Sequence, residues 1–341
     1  MKDDYLWSRS GEPDPEVQAL EAILCRLRHE PRPLVLPPAD RAAARQPSRT
    51  RALAAPLALA AVVVLLVAGT WRARFSPSGP PAAGSAPAWT AAPLAAGASL
   101  AARPLDGEVR VPAGGWLETG EGGAAELRAG EVGTVRVGPR SRVRVVSAAP
   151  GDHRLALARG SLDAFIWASP RQFFVETPSA VAVDLGCAYR LEVDEDGSGR
   201  LRVTLGWVGF ELDGRESLVP SGAVCATRPG RGPGTPHFED ASASFRASLE
   251  RVDEAGATVD PAVLDRVLRE ARPRDALSLW HLLPRLDRAA AARVYDRLAA
   301  LAPPPPGVTK DRVLGRDRGA LDAWWDSLGL APVSRFREWM R

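Results

Sequence analysis

The chain has 341 residues, enough for two small domains with linkers. Its 44 basic and 41 acidic residues leave a formal net charge of only +3, which excludes a global electrostatic drive toward nucleic acid. Lysine occurs only at Lys2 and Lys310; alongside 31 Gly and 31 Pro, the arginine excess reads as coding bias and not as a nucleic-acid patch.

Residues 1–51 form a tail with one predicted amphipathic helix over 14–29. Asp14 suits the N-cap and Pro15 the first helical position. Val17, Leu20, Leu24 and Leu27 then recur at helical steps, and Arg26, Arg28 and His29 close the helix where positive charge favours its dipole. So short a segment does not bury a core, and an apolar stripe needs a partner. The stripe could self-associate, pack on the membrane surface or dock on a cytoplasmic protein; Asp14, Glu16 and Glu21 would be repelled by anionic lipid, which favours docking.

Residues 52–71, ALAAPLALAAVVVLLVAGTW, carry no charge. At about 1.5 Å per residue they reach roughly 30 Å, the thickness of a bilayer's hydrocarbon. Too long a segment precedes them for a signal peptide, so one transmembrane helix is expected. Arg41, Arg45, Arg49 and Arg51 lie before the span, and only Arg72 and Arg74 closely follow it. The positive-inside bias puts the N-terminus in the cytoplasm and the larger C-terminal part outside.

Residues 72–98 are rich in Pro, Ala and Gly and read as a linker in which Trp89 is an unexplained bulky residue. From 99 to 235 the pattern turns to period two: Val135 and Val137, Val143 and Val145, Leu155 and Leu157, Val181 and Val183, Leu191 and Val193, then Leu201, Val203 and Leu205. Many short strands between glycines predict an all-β domain, a sandwich or β-roll, with a hairpin turn at Asp194–Gly197. Residues 236–341 return to helical spacing. Asp260-Pro261 opens one helix, Leu277, Trp280 and Leu283 mark another, 287–301 a third, and Leu321, Trp324, Trp325 and Leu328 a fourth. The expected architecture is therefore multi-domain: an all-β domain, an α-helical C-terminal domain and one transmembrane helix.

Within the β-rich stretch, Phe174-Val175-Glu176-Thr177-Pro178, Val181-Ala182-Val183, Gly186-Cys187-Ala188-Tyr189, Leu205-Gly206-Trp207-Val208 and Val219-Pro220-Ser221-Gly222 resemble the FecR domain. The tail from Tyr5 to Glu16 is similar to that of FecR-like proteins of soil bacteria. Cys187 stands where threonine is usual and Tyr189 where phenylalanine is usual; alternation turns both inward. The resemblance implies an envelope β-domain in the periplasm of a bacterial inner-membrane protein. It also implies a cytoplasmic tail that acts on a sigma factor, in the manner of an anti-sigma factor or sigma regulator, and a periplasmic or outer-membrane protein as outer partner. The expected function is signal transduction across the membrane. The alternative is a tethered envelope-binding or scaffold module with no signalling role.

Cys187 and Cys225 are either a disulfide formed in an oxidising compartment or two separately buried thiols. No catalytic assembly is legible. His29, His153, His237 and His281 stand alone, there is no GxSxG elbow and no HExxH pair, and Gly230–Gly234 lacks the Lys and Ser/Thr of a phosphate loop. The expectation is a protein that is not an enzyme, with no cofactor and no metal.

Overall fold

The computed structural model describes residues 89–330. The predicted span 52–71 lies outside these residues, as does the predicted helix 14–29 with Val17, Leu20, Leu24 and Leu27. Among the described residues no helix is long and apolar enough to cross a membrane.

Strands come first. β1 (Trp89–Ala95), β2 (Ala98–Leu100), β3 (Arg103–Pro104), β4 (Val109–Val111), β5 (Trp116–Thr119), β6 (Ala124–Ala129), β7 (Gly133–Val137) and β8 (Arg142–Ala149) lead to the long strand β9 (Asp152–Ile166). There follow β10 (Phe173–Glu176), β11 (Val181–Asp184), β12 (Ala188–Val193), β13 (Gly199–Leu205), β14 (Trp207–Leu212), β15 (Arg215–Pro220), β16 (Ala223–Arg228), β17 (Gly232–Pro233) and β18 (His237–Phe238). Then come helices α1 (Ala243–Ala255), α2 (Pro261–Glu270), α3 (Ala276–Leu282), α4 (Arg288–Leu301), α5 (Lys310–Leu314) and α6 (Arg318–Ser327).

Two sheets bury one core. The first runs β4-β1-β6-β7-β9-β12-β13-β16. The second runs β3-β2-β5-β8-β9-β10-β11-β14-β15. All pairs are antiparallel except β9 with β10. β9 belongs to both sheets: its first half pairs with β8 and its second with β7 and β12. The change of sheet falls at Gly160, whose φ is +91° and where a Cβ would lie 2.4 Å from Cα of Ser141. The Ser141 hydroxyl fills that corner and accepts from the Ser161 amide at 2.8 Å. Alternation then delivers Val143, Val145, Leu155, Leu157, Leu191, Leu201 and Val203 to the interior, as predicted, with Leu162 beside them.

Three features depart from expectation. β1 begins inside the predicted linker. Its Ala-rich sequence has no hydropathy contrast to reveal a strand, yet Trp89 is fully buried, 5.8 Å from the Phe173 ring and 6.2 Å from His153. Leu205, predicted inside, is 58% exposed. Its strand pairs Tyr189 with Val203 but Ala188 with Leu205, so Thr204 is an extra residue, and the resulting bulge turns Leu205 to the outer face. In β11 the interior side carries Ala182 and Asp184, the reverse of the predicted Val181 and Val183 face. The strand is covered on both sides, so Val183 is buried as well.

The helices start where the sequence places caps. The side chains of Ser242, Asp260, Asp287, Thr309 and Asp317 each accept from an amide of the first turn. Sandwich and helices belong to one compact unit, Gly79–Arg341.

Candidate functional site

The glycine-bearing segments singled out in the sequence converge at one end of the sandwich. Gly206 has φ +72°, and a Cβ there would fall 2.3 Å from the Gly186 carbonyl oxygen, so the turn into β14 crosses directly over Gly186-Cys187. The turn after β15 ties onto the same place. The Ser221 amide donates to the Gly206 carbonyl at 3.0 Å, the Ser221 hydroxyl to the Thr204 carbonyl at 2.7 Å, and the Gly222 amide to the Val203 carbonyl at 2.8 Å. At the far end, Thr177–Ala180 turns β10 into β11. Thr177 Oγ1 accepts the Ala180 amide at 3.0 Å, and the Ser179 hydroxyl donates to the Gly197 carbonyl in the β12–β13 hairpin.

Beneath the crossing lies a buried polar cluster. Asp184 Oδ1 accepts the Gly186 amide at 2.7 Å, and its Oδ2 accepts the Cys187 thiol. Burial pushes the Asp184 carboxyl up to about 7, against the opposing pull of these hydrogen bonds. Burial, then the nearby Asp184 charge, raises the Cys187 thiol far above its usual range. The Tyr189 hydroxyl is buried with no hydrogen-bond partner, and burial raises it too. A thiol held protonated in this way is a poor nucleophile.

A second polar seam joins the sandwich to the helices. Asp253 on α1 accepts from the Thr235 amide at 2.6 Å, the Thr235 hydroxyl at 2.8 Å and Arg215 Nη2 at 3.1 Å. Arg285, between α3 and α4, donates to the Glu216 carbonyl at 2.9 Å and to the hydroxyls of Ser217 and Thr235 at 2.8 and 3.1 Å. Burial lowers its guanidinium to about 10, with Asp253 opposing. The Leu218 amide donates to His281 Nε2 at 3.0 Å. That fixes the proton on Nδ1, which donates to the Leu277 carbonyl at 2.8 Å. Burial, and then the charge of Arg285, keep this imidazole well below its usual range and hence neutral.

Aromatic rings complete the seam. Trp325 lies 6.0 Å from Trp207 of β14, 4.7 Å from Trp280 and 5.4 Å from His281. Trp324 packs 5.0 Å from Tyr295 and donates to the Ala302 carbonyl at 3.1 Å. Trp324 and Trp325 are fully buried and serve packing.

The family model described as FecR protein matches residues 116–208. The chain carries a FecR domain. The match runs from the first residue of β5 to the second of β14, so it contains Asp184, Cys187, Tyr189 and Gly206 and stops before the helices. Two crystal structures described as a "putative anti-sigma factor" from Parabacteroides distasonis ATCC 8503, at 1.65 and 2.50 Å resolution, are similar to the chain. Each is 14% identical with a TM-score of 0.33. The first similarity covers 40% of this chain and 64% of that one, the second 45% and 73%. The chain thus spans somewhat under two thirds of the first structure's length. No curated protein matches the chain.

The strands outside the match, β1–β4 and β15–β18, complete both sheets of the sandwich that holds it. An open cavity of about 570 Å³ lies beside β10, β11 and the β14–β15 hairpin, with Arg154, Arg171, Glu211 and Arg318 over Phe174, Val181 and Val183. Arg154 sits 4.3 Å above the Phe174 ring and pairs with Asp152 and Glu176, while Arg171 is 3.9 Å from Glu211. Carboxylates thus match much of the cationic rim.

Of the two alternatives for Cys187 and Cys225, the structure has the thiols free and buried, with no disulfide between them. Cys187 bonds to Asp184, and Cys225 donates to the Gly234 carbonyl at 3.3 Å, its thiol pushed up by burial to about 12. Sequence reasoning missed Asp184, Arg285 and His281. Asp184 reads as the solvent side of an alternating strand, and the pairing of Arg285 and His281 with β15 joins residues more than sixty positions apart.

Proposed function

We propose that the chain is a single-pass bacterial inner-membrane regulator of the FecR type. Its sandwich and helices lie outside, and its tail relays an envelope signal to a cytoplasmic sigma factor. The observation that carries this reading is the FecR match at 116–208, downstream of the uncharged run 52–71 and its arginine-rich inner flank. The tail meets the sigma factor through Val17, Leu20, Leu24 and Leu27, one apolar stripe with no core of its own. The outer part acts by contact; its buried thiols Cys187 and Cys225 are held protonated and offer no thiolate nucleophile. A periplasmic or outer-membrane protein supplies the signal.

The test is affinity purification of the full chain from its own cells, followed by mass spectrometry. A sigma factor should co-purify with the wild type, and Leu20→Asp combined with Leu24→Asp should reduce its recovery at least tenfold. Absence of any sigma factor, or equal recovery with the double variant, contradicts the docking assignment.

A further inference from the structure

Three large apolar side chains stand in water at one place on the FecR domain. Phe165, Trp167 and Leu205 are 52%, 51% and 58% exposed. Phe165 pairs across the sheet with Ala188, and Ala188 pairs with Leu205, so these side chains share one outer face and one cross-strand row. The Trp167 ring is 5.9 Å from that of Phe165, and its backbone amide is anchored on the Val132 carbonyl at 3.0 Å. Singly exposed apolar residues are ordinary, but a clustered aromatic patch marks an interaction surface.

The same row runs on to the strand at which the chain enters the sandwich. From Phe165 it continues through Thr134 and Arg128 to Thr90, the second residue of β1. The chain therefore joins the sandwich three strands away from Phe165, about 14 Å at the usual strand spacing. Residues 72–88, between the predicted span and β1, reach at most about 60 Å. The patch and the tether point thus lie at one end of the domain. The opposite end of β12 and β13 carries the exposed, acidic hairpin turn Asp194-Glu195-Asp196.

We propose that the Phe165–Trp167–Leu205 patch rests on the lipid surface of the membrane in which the chain is anchored, an inference that builds on the topology proposed above. Indole and phenyl rings suit the depth of the lipid head groups. Arg128, in the same row and also bonded to Glu126, can reach lipid phosphate. The patch would hold the FecR domain in one orientation, with the Asp194–Asp196 turn directed away from the bilayer.

The test uses the full chain with Cys25→Ser, leaving the buried Cys187 and Cys225 in place. A nitrobenzoxadiazole label is attached at Thr134→Cys, beside the patch, or at Glu195→Cys, at the opposite end. The protein is reconstituted into phosphatidylethanolamine–phosphatidylglycerol vesicles containing nitroxide-labelled lipid. Quenching at position 134 should exceed that at 195 at least threefold, and Phe165→Ser with Trp167→Ser should abolish the difference. Equal quenching at both positions in a chain that resists alkaline extraction overturns the patch assignment while leaving the topology standing. Shielding of position 134 from aqueous iodide without nitroxide quenching also overturns it, because a protein surface then covers the patch. A chain extracted by alkali overturns both readings.

Discussion

Burial drives Asp184 and His281 toward their neutral forms, and the consequences for stability have opposite signs. His281 is depressed well below 6.5, so its contribution is complete above that value and is lost as pH falls below it. Asp184 is raised from 3.8 to about 7, so its contribution is complete below 3.8 and is lost as pH rises through 7. His153 and His237 are also lowered, chiefly by burial, and act with His281. Denaturant unfolding of the chain between pH 4 and pH 8 should therefore show two opposed limbs. Asp184→Asn removes the one that favours acid, and stability should then fall more steeply between pH 7 and pH 4 than in the wild type. His281→Phe leaves the Leu218 amide without its acceptor and should cost about 1–3 kcal/mol at neutral pH, with part of the acid loss removed. An unchanged pH profile in Asp184→Asn contradicts the assigned burial of that carboxyl.

Among the elements, strands with hydropathy contrast were legible and those without it were not. β7, β8, β9, β12 and most of β13 follow a period of two that one buried face imposes. β1 escaped because alanine on both faces hides the pattern. Alternation puts Leu205 on the wrong face because a bulge is a matter of pairing, which local sequence does not record. Asp260-Pro261 announced its helix through cap chemistry that acts within three residues, and the structure places an equivalent cap at Asp287. The glycines at 186, 206 and 222 were legible as turns, but not their convergence at one end. The seam between β15 and the helices was invisible, since His281, Arg285 and Asp253 acquire their partners only through the tertiary fold. Trp325 is the ring shared between Trp207 of the sheet and Trp280 of α3. Trp325→Ala should destabilise by about 3–5 kcal/mol. It should also split a single thermal transition into two, with the helices melting first. A single transition shifted only slightly would show that the helices hold to the sandwich without it.

For the whole molecule, the β-rich FecR domain was legible through short segments whose glycines and turns meet in space. The proposed function depends on which side of a membrane this domain occupies. In the proposed topology, argued from the arginine asymmetry about residues 52–71, the tail is cytoplasmic and the FecR domain lies in the envelope. That proposed topology would make the apolar stripe of the tail available to a sigma factor and the sandwich available to an outer signal. Paired reporter fusions at residues 45 and 110 test it most directly. A reporter active only in the cytoplasm should work at 45 and fail at 110, and one active only in the periplasm should do the reverse. Cytoplasmic activity at position 110 would contradict the account.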